Sequence, residues 1–202
     1  MALRIGILLY DGFDLIDSGG PYEVFLTASR LAERDGDAPL YDVFLLSPTG
    51  ADVTAFGGMT VTGTVSAADA EDLHTLIVPG LVDIAAARRS AVVGAAIASL
   101  AASAQTVASV CTGAFLLADQ GMLDGEAATT HWEDVALLAG EGRVGEGVED
   151  VRWVDNGAVV TSGGLTSGMH MALHLVDRDF GVETAKRTAR QLDLDWDPSP
   201  AR

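Results

Sequence analysis

Along the chain, short wholly apolar runs alternate with longer stretches in which apolar residues recur every three or four positions. The runs "LRIGILLY" (3–10), "YDVFLLS" (41–47), "LHTLIVPG" (73–80) and "QTVASV" (105–110) are rich in aliphatic and β-branched residues. Apolar runs of this length without strict alternation predict strands buried on both faces. Helical periodicity follows in "GGPYEVFLTASRLAER", at 90–103, in "TGAFLLAD", at 165–179 and at 182–192. In the first of these, Gly20 is the expected N-cap, Pro21 suits the first turn and Glu23 complements the helix dipole. Thr130 and Glu133 have capping-box spacing, which predicts a helix start within "EAATTHWEDVALLAG". "ADVTAFGGMTVTG" has broken, short β character, and "VEDVRWVDNGAVVTSGG" predicts a hairpin about Asn156-Gly157.

Buried strands alternating with helices predict an α/β fold, an open and mostly parallel sheet with helices on both faces. There is no internal repeat, linker or low-complexity tract, so residues 1–202 are read as a single domain. The tail "DLDWDPSPAR" is expected to pack as an irregular extension.

Charge narrows the partners. Twenty-nine acidic against 12 basic residues give a net charge of -17, which repels phosphate backbones and anionic lipid. Nucleic acid and membrane surfaces are therefore not expected partners; a small neutral substrate is. The N-terminus lacks the apolar region and cleavage site of a signal peptide, and no run reaches the ~20 apolar residues of a membrane span. A cytoplasmic location is the expectation.

The single cysteine, Cys111, lies between the strand at 105–110 and the following helix. In open α/β sheets ligands sit beyond the carboxyl ends of the strands. A strand-to-helix turn there places the sulfur beside a helix N-terminus, which is expected to lower the thiol pKa. The geometry is that of a nucleophile elbow with sulfur in place of the hydroxyl. A free cysteine is also a frequent core residue, so position alone leaves both roles open. Asp17 in "FDLIDSGGPYEVF" is the candidate partner, provided that the strands at 3–10 and 105–110 neighbour each other. The plainer role for Asp17 is to cap the helix at 21–33, and Asp14 competes with it. His131, beside Trp132, reads as a first-turn residue packed near the sheet. His170 and His174, four apart, suit one helix face, but no further ligand motif accompanies them and no metal is expected.

Five ordered motifs then add up. Asp17-x-x-Gly20-Pro21-x-Glu23-Val24-Phe25, Val78-Pro79-Gly80, Ser109-Val110-Cys111-Thr112-Gly113, Ala128-Thr129-Thr130-His131-Trp132 and Thr161-Ser162-Gly163-Gly164 occur in sequence. Together they resemble the ThiJ/PfpI superfamily (class I glutamine amidotransferase-like), and most of all its isocyanide hydratase branch. The resemblance implies a flavodoxin-like domain, usually a homodimer, with no cofactor. It implies that Cys111 attacks the isocyanide carbon to form a thioimidate. Asp17 would handle protons while water releases an N-substituted formamide, and Thr112 would hydrogen-bond near the site. Backbone N–H groups of Gly80 and Leu81 are the expected stabilisers of developing negative charge. Relatives usually carry Pro-Gly-Gly where this chain has Pro79-Gly80-Leu81, and many have aspartate at the His170 position. Peptidase-like members place a histidine directly after the cysteine; Thr112 stands there instead. Two other roles suit the same domain: cofactor-free glyoxalase or hydrolase chemistry at Cys111, and ligand sensing. In AraC-type regulators such a sensing domain is followed by a helix-turn-helix segment, which the chain to residue 202 does not contain.

Overall fold

A computed structural model describes residues 1–201; the final residue of the tail, Arg202, lies outside the described residues. Strand β1 (Leu3–Leu8) leads into α1 (Leu15–Arg34) and β2 (Tyr41–Ser47), followed by the short strands β3 (Val53–Thr54), β4 (Thr60–Val61) and β5 (Val65–Ser66). Then come β6 (Thr75–Val78), α2 (Ile84–Arg89), α3 (Ala91–Ser103), β7 (Thr106–Val110) and α4 (Gly113–Asp119). Next are β8 (Ala127–Ala128), α5 (Val135–Gly140), β9 (Glu146–Gly147) and the hairpin β10 (Trp153–Asp155) to β11 (Val159–Ser162). Helices α6 (Thr166–Phe180) and α7 (Val182–Gln191) follow.

The main sheet has the order β10-β11-β7-β6-β1-β2-β5. Every pairing in it is parallel except β10 with β11, the predicted hairpin, at one edge. The expected α/β architecture is therefore present. Strands β6 and β7 are buried at every residue, which is why their sequences show no polar alternation. Helices α1, α6 and α7 pack on one another, and so do α2, α3 and α4. These two groups pack with the sheet around one apolar core, in which Ile5, Ile7, Leu76, Ile77 and Val110 are fully buried.

Two local expectations are corrected. Helix α1 begins at Leu15, six residues before Pro21, and its N-cap is Asp14, whose carboxylate accepts from the Ile16 amide at 3.3 Å. Gly20 is not a cap but a contact point: a Cβ there would lie 2.7 Å from Met169 Cγ of α6. Pro21 sits inside the helix, where it brings no N–H to the Asp17 carbonyl one turn back. The predicted box at Thr130 and Glu133 does not form, and α5 starts only at Val135. The Thr130 hydroxyl is used elsewhere, as shown below. Among the described residues no helix is long and apolar enough to cross a membrane.

Candidate active site

Strand β7 runs buried to Val110, the chain turns at Cys111, and α4 starts at Gly113. Cys111 has φ 57°, in the left-handed region that few non-glycine residues occupy. Its N–H is shared between the carbonyls of Ser162 and Gly163, at 3.1 and 3.3 Å, and its carbonyl accepts the Thr130 hydroxyl at 2.7 Å. The expected strand-turn-helix elbow is thus realised, with the thiol at the carboxyl edge of the sheet.

Asp17 reaches that edge by a route that the chain order does not suggest. Strands β1 and β7 are not neighbours; β6 lies between them. The gap is closed because β6 ends in Pro79-Gly80, and Gly80 has no side chain. A Cβ there would lie 2.7 Å from the Thr112 hydroxyl and 2.8 Å from Cys111 Cβ. From the other side, the Gly80 N–H donates to Asp17 Oδ2 at 3.1 Å. The Leu165 N–H donates to Asp17 Oδ1 at 2.9 Å. Leu165 itself holds an unusual conformation, φ 57° and ψ −113°, just ahead of α6.

Asp17 is completely buried. Burial pushes its carboxyl up to about 6, against the lowering by the Leu165 and Gly80 amides. The Cys111 thiol is also pushed up, first by burial and then by the charge of Asp17, while the Thr112 N–H pulls the other way. The expected depression by the helix N-terminus is therefore overturned. The seven residues of α4 offer a partial charge at most, and desolvation plus a full negative charge outweighs it. At neutral pH the pair rests with the proton on sulfur and the charge on Asp17.

Thr112 and the loop after β6 are locked together. The Thr112 hydroxyl donates to the Leu81 carbonyl at 2.9 Å and accepts from the Leu81 N–H at 3.0 Å. Of the two amides expected to receive developing charge, Gly80 is therefore bonded to Asp17 and Leu81 to Thr112. Tyr10, fully buried with its hydroxyl donating to the Pro79 carbonyl, braces the same loop from below.

The sequence of residues 3–178 matches the model of the DJ-1/PfpI family. The chain belongs to the DJ-1/PfpI family. It is 34% identical over 200 residues to an isonitrile hydratase of Pseudomonas putida, covering 99% of this chain and 81% of that protein. It is 33% identical over 183 residues to the HTH-type transcriptional regulator GbdR of Pseudomonas aeruginosa, covering 89% of this chain but 47% of the regulator. Among solved structures, a ThiJ/PfpI family protein from Pseudomonas syringae superposes with a TM-score of 0.83 at 26% identity, over 98% of this chain and 77% of that one.

Within this DJ-1/PfpI domain the structure gathers residues that their sequence neighbourhoods understate. A Cβ on Gly164 would lie 2.6 Å from His131 Cδ2 and 3.1 Å from Cys111 Sγ, so imidazole and thiol pack against the same glycine. His131 is thus beside the sulfur, not simply a helix-start residue. Its Nδ1 lies 3.4 Å from the Glu133 N–H, and its Cδ2 edge faces Gly164. The only hint in the sequence was the run Thr129-Thr130-His131-Trp132 itself. Other candidates are left outside. Glu23 is exposed and accepts from Thr27 at 3.2 Å, and Asp14 serves as the cap of α1. His174 bonds Asp155 at 2.7 Å and stacks on Trp153, whereas His170 turns a buried Nδ1 to no partner. Among the described residues no group of three or more His, Cys, Asp or Glu side chains is placed to hold a metal ion.

Proposed function

We propose that the protein is a hydro-lyase adding water to a small neutral isocyanide, with Cys111 as nucleophile and Asp17 as proton carrier. The observation that carries this reading is the pairing of a buried carboxyl, poised at about 6, with the only thiol of the chain. The likeness to an isonitrile hydratase along nearly the whole chain supports it.

The chemistry follows from the resting charges. As the isocyanide carbon approaches, the thiol proton passes to Asp17 and sulfur bonds the carbon. Asp17 returns that proton to the same carbon, giving a thioimidate, S–CH=N–R, with no net charge change. Asp17, again a carboxylate, takes a proton from water as the water oxygen attacks the thioimidate carbon, and passes it to the nitrogen. As the C–S bond then breaks, the hydroxyl proton of the adduct returns to sulfur through Asp17, restoring the thiol and releasing the N-substituted formamide. A general base with a pKa just below the working pH is well matched to both transfers. A neutral substrate also meets no repulsion in a strongly acidic protein.

Incubation with cyclohexyl isocyanide, followed by detection of N-cyclohexylformamide, tests the proposal. Turnover is expected in the native protein and its loss in Cys111→Ala. No formamide above the buffer rate, or equal rates in both proteins, overturns it.

The likeness to GbdR favours a second reading, in which the domain binds a small electrophile reversibly and passes the signal onward. That reading expects the isocyanide or a related compound to raise Tm without being consumed.

A further inference from the structure

The elbow at Cys111 carries a cost. A non-glycine residue in the left-handed region is disfavoured by about 1–2 kcal/mol, and such residues persist only where their surroundings over-determine them. On the amide side Cys111 has two acceptors, both at the end of β11 or just beyond it. On the carbonyl side the α4 backbone contributes a bond of 3.3 Å from the Ala114 N–H. The short bond there, 2.7 Å, comes from the Thr130 hydroxyl. Thr130 is fully buried, in a segment outside any helix or strand. That segment is itself anchored, because the Thr129 N–H donates to the Thr161 hydroxyl at 2.9 Å. Thr161 lies on β11, paired in register with Ser109 of β7. The bonds therefore close a ring: from β7 to Cys111, to Thr130 and Thr129, to Thr161 of β11, and back across the sheet to β7.

We propose that Thr130 is the positioning residue of the nucleophile: its hydroxyl, bonded to the Cys111 carbonyl, holds the elbow in its positive-φ conformation. The sulfur is thereby kept against Asp17 and His131. This rests on the reading of Cys111 as the reacting group, but its test does not require isocyanide turnover. Valine matches threonine in shape, so Thr130→Val removes the bond and little else. Cys111 is then free to relax to negative φ, turning the sulfur away from the Asp17 carboxylate.

Because the chain has one cysteine, alkylation by iodoacetamide across pH 5 to 11, followed by mass spectrometry of the Cys111 peptide, reports on this thiol. In the native protein the rate is expected to be low at pH 8 and still rising at pH 11, its inflection lying above the ordinary cysteine range. In Thr130→Val the inflection is expected to fall by at least one pH unit, raising the rate at pH 8 about tenfold. Thr130→Ser should retain the native profile. So should Thr188→Val, which removes an equally buried hydroxyl bonded to the Thr184 carbonyl on α7. If Thr130→Val does not fold, Thr130→Ala makes the same comparison without a methyl facing a carbonyl. A folded Val or Ala variant with the native inflection overturns the proposal, as does a Ser variant that shifts as far as they do. A shifted profile without any formamide formation sinks the hydratase reading and leaves the role of Thr130 standing. Formamide formation dependent on Cys111, with an unmoved profile, does the reverse.

Discussion

In the proposed mechanism Asp17 ties activity and stability to pH in opposite senses. As the proposed base for the thiol proton it must be ionised, so kcat/KM is expected to fall about tenfold per unit below pH 6. Stability runs the other way. A carboxyl raised from 3.8 to about 6 in the fold favours the folded state most below pH 4, and this contribution is lost as pH rises through 6. A shift of about two units corresponds to about 3 kcal/mol at most. Urea unfolding of native protein and Asp17→Asn from pH 4 to 8 checks this: the variant should gain on the native protein as pH rises. A constant difference would mean that Asp17 titrates normally. Two glycines give a second contrast at this scale. A Cβ on Gly113 would lie 2.3 Å from the Val78 carbonyl, a backbone atom that cannot give way. Gly113→Ala is expected to cost more than about 2 kcal/mol, because the elbow must open. Gly94 in α3 meets only the end of the Gln120 side chain at 3.5 Å, and Gly94→Ala should stabilise by about 0.5–1 kcal/mol. Thermal unfolding of the two variants separates crowding from helix propensity.

Among the elements, α2, α4 and α5 are joined by one side chain. Arg88 at the end of α2 donates to both carboxylate oxygens of Asp119 on α4, at 2.8 and 2.7 Å, and to those of Glu141 at the end of α5, at 2.7 and 2.8 Å. Its guanidinium also lies 5.5 Å from the centroid of Phe115. Bidentate geometry makes such a pair worth more than an ordinary surface ion pair, although a quarter of the side chain is in water. Arg88→Met leaves two carboxylates facing each other and is expected to cost about 1–2 kcal/mol, less at high salt. The iodoacetamide profile of Cys111 should not change, since none of these groups touches the elbow. A shifted profile would show that the clasp, and not the local bonds at Cys111, holds α4 in place. Helix α6 acts differently: its approach to α1 sets Leu165 ahead of its first turn, where the amide meets Asp17.

For the molecule as a whole, the net charge of -17 is spread over 202 residues. Repulsion among exposed carboxylates opposes the compact state and is screened within about 10 Å at 0.1 M salt. Tm is therefore expected to rise between 10 and 500 mM NaCl, by about 2–4 °C for each kcal/mol of repulsion relieved. Scanning calorimetry at pH 7.5 measures it. A falling Tm would mean that specific pairs such as Arg88 with Asp119 outweigh the general repulsion.

Much of this was legible in the amino-acid order, and the reason is locality. Apolar runs without alternation, helical periodicity and the Asn156-Gly157 turn depend on neighbours in the chain, so the alternating strands and helices and the turn at Cys111 could be read directly. The start of α1 could not. Pro21 resembles a first-turn residue, yet the helix is capped earlier, by Asp14, and runs through it, with Gly20 packed against Met169 of α6. Nor could the interposed β6, which separates β1 from β7, so that the condition set for Asp17 to reach Cys111 is met by another route. The bonds that fix Asp17 come from residues 63 and 148 positions away. Thr130 and His131 meet Cys111 only because a segment without regular structure folds back against the elbow. The direction of the thiol pKa was likewise settled in three dimensions, since burial and a neighbouring charge exist only after folding. Sequence determined which residue types stand at the sheet edge; tertiary packing decided which of them meet there, because burial and long-range hydrogen bonds exist only in the folded chain.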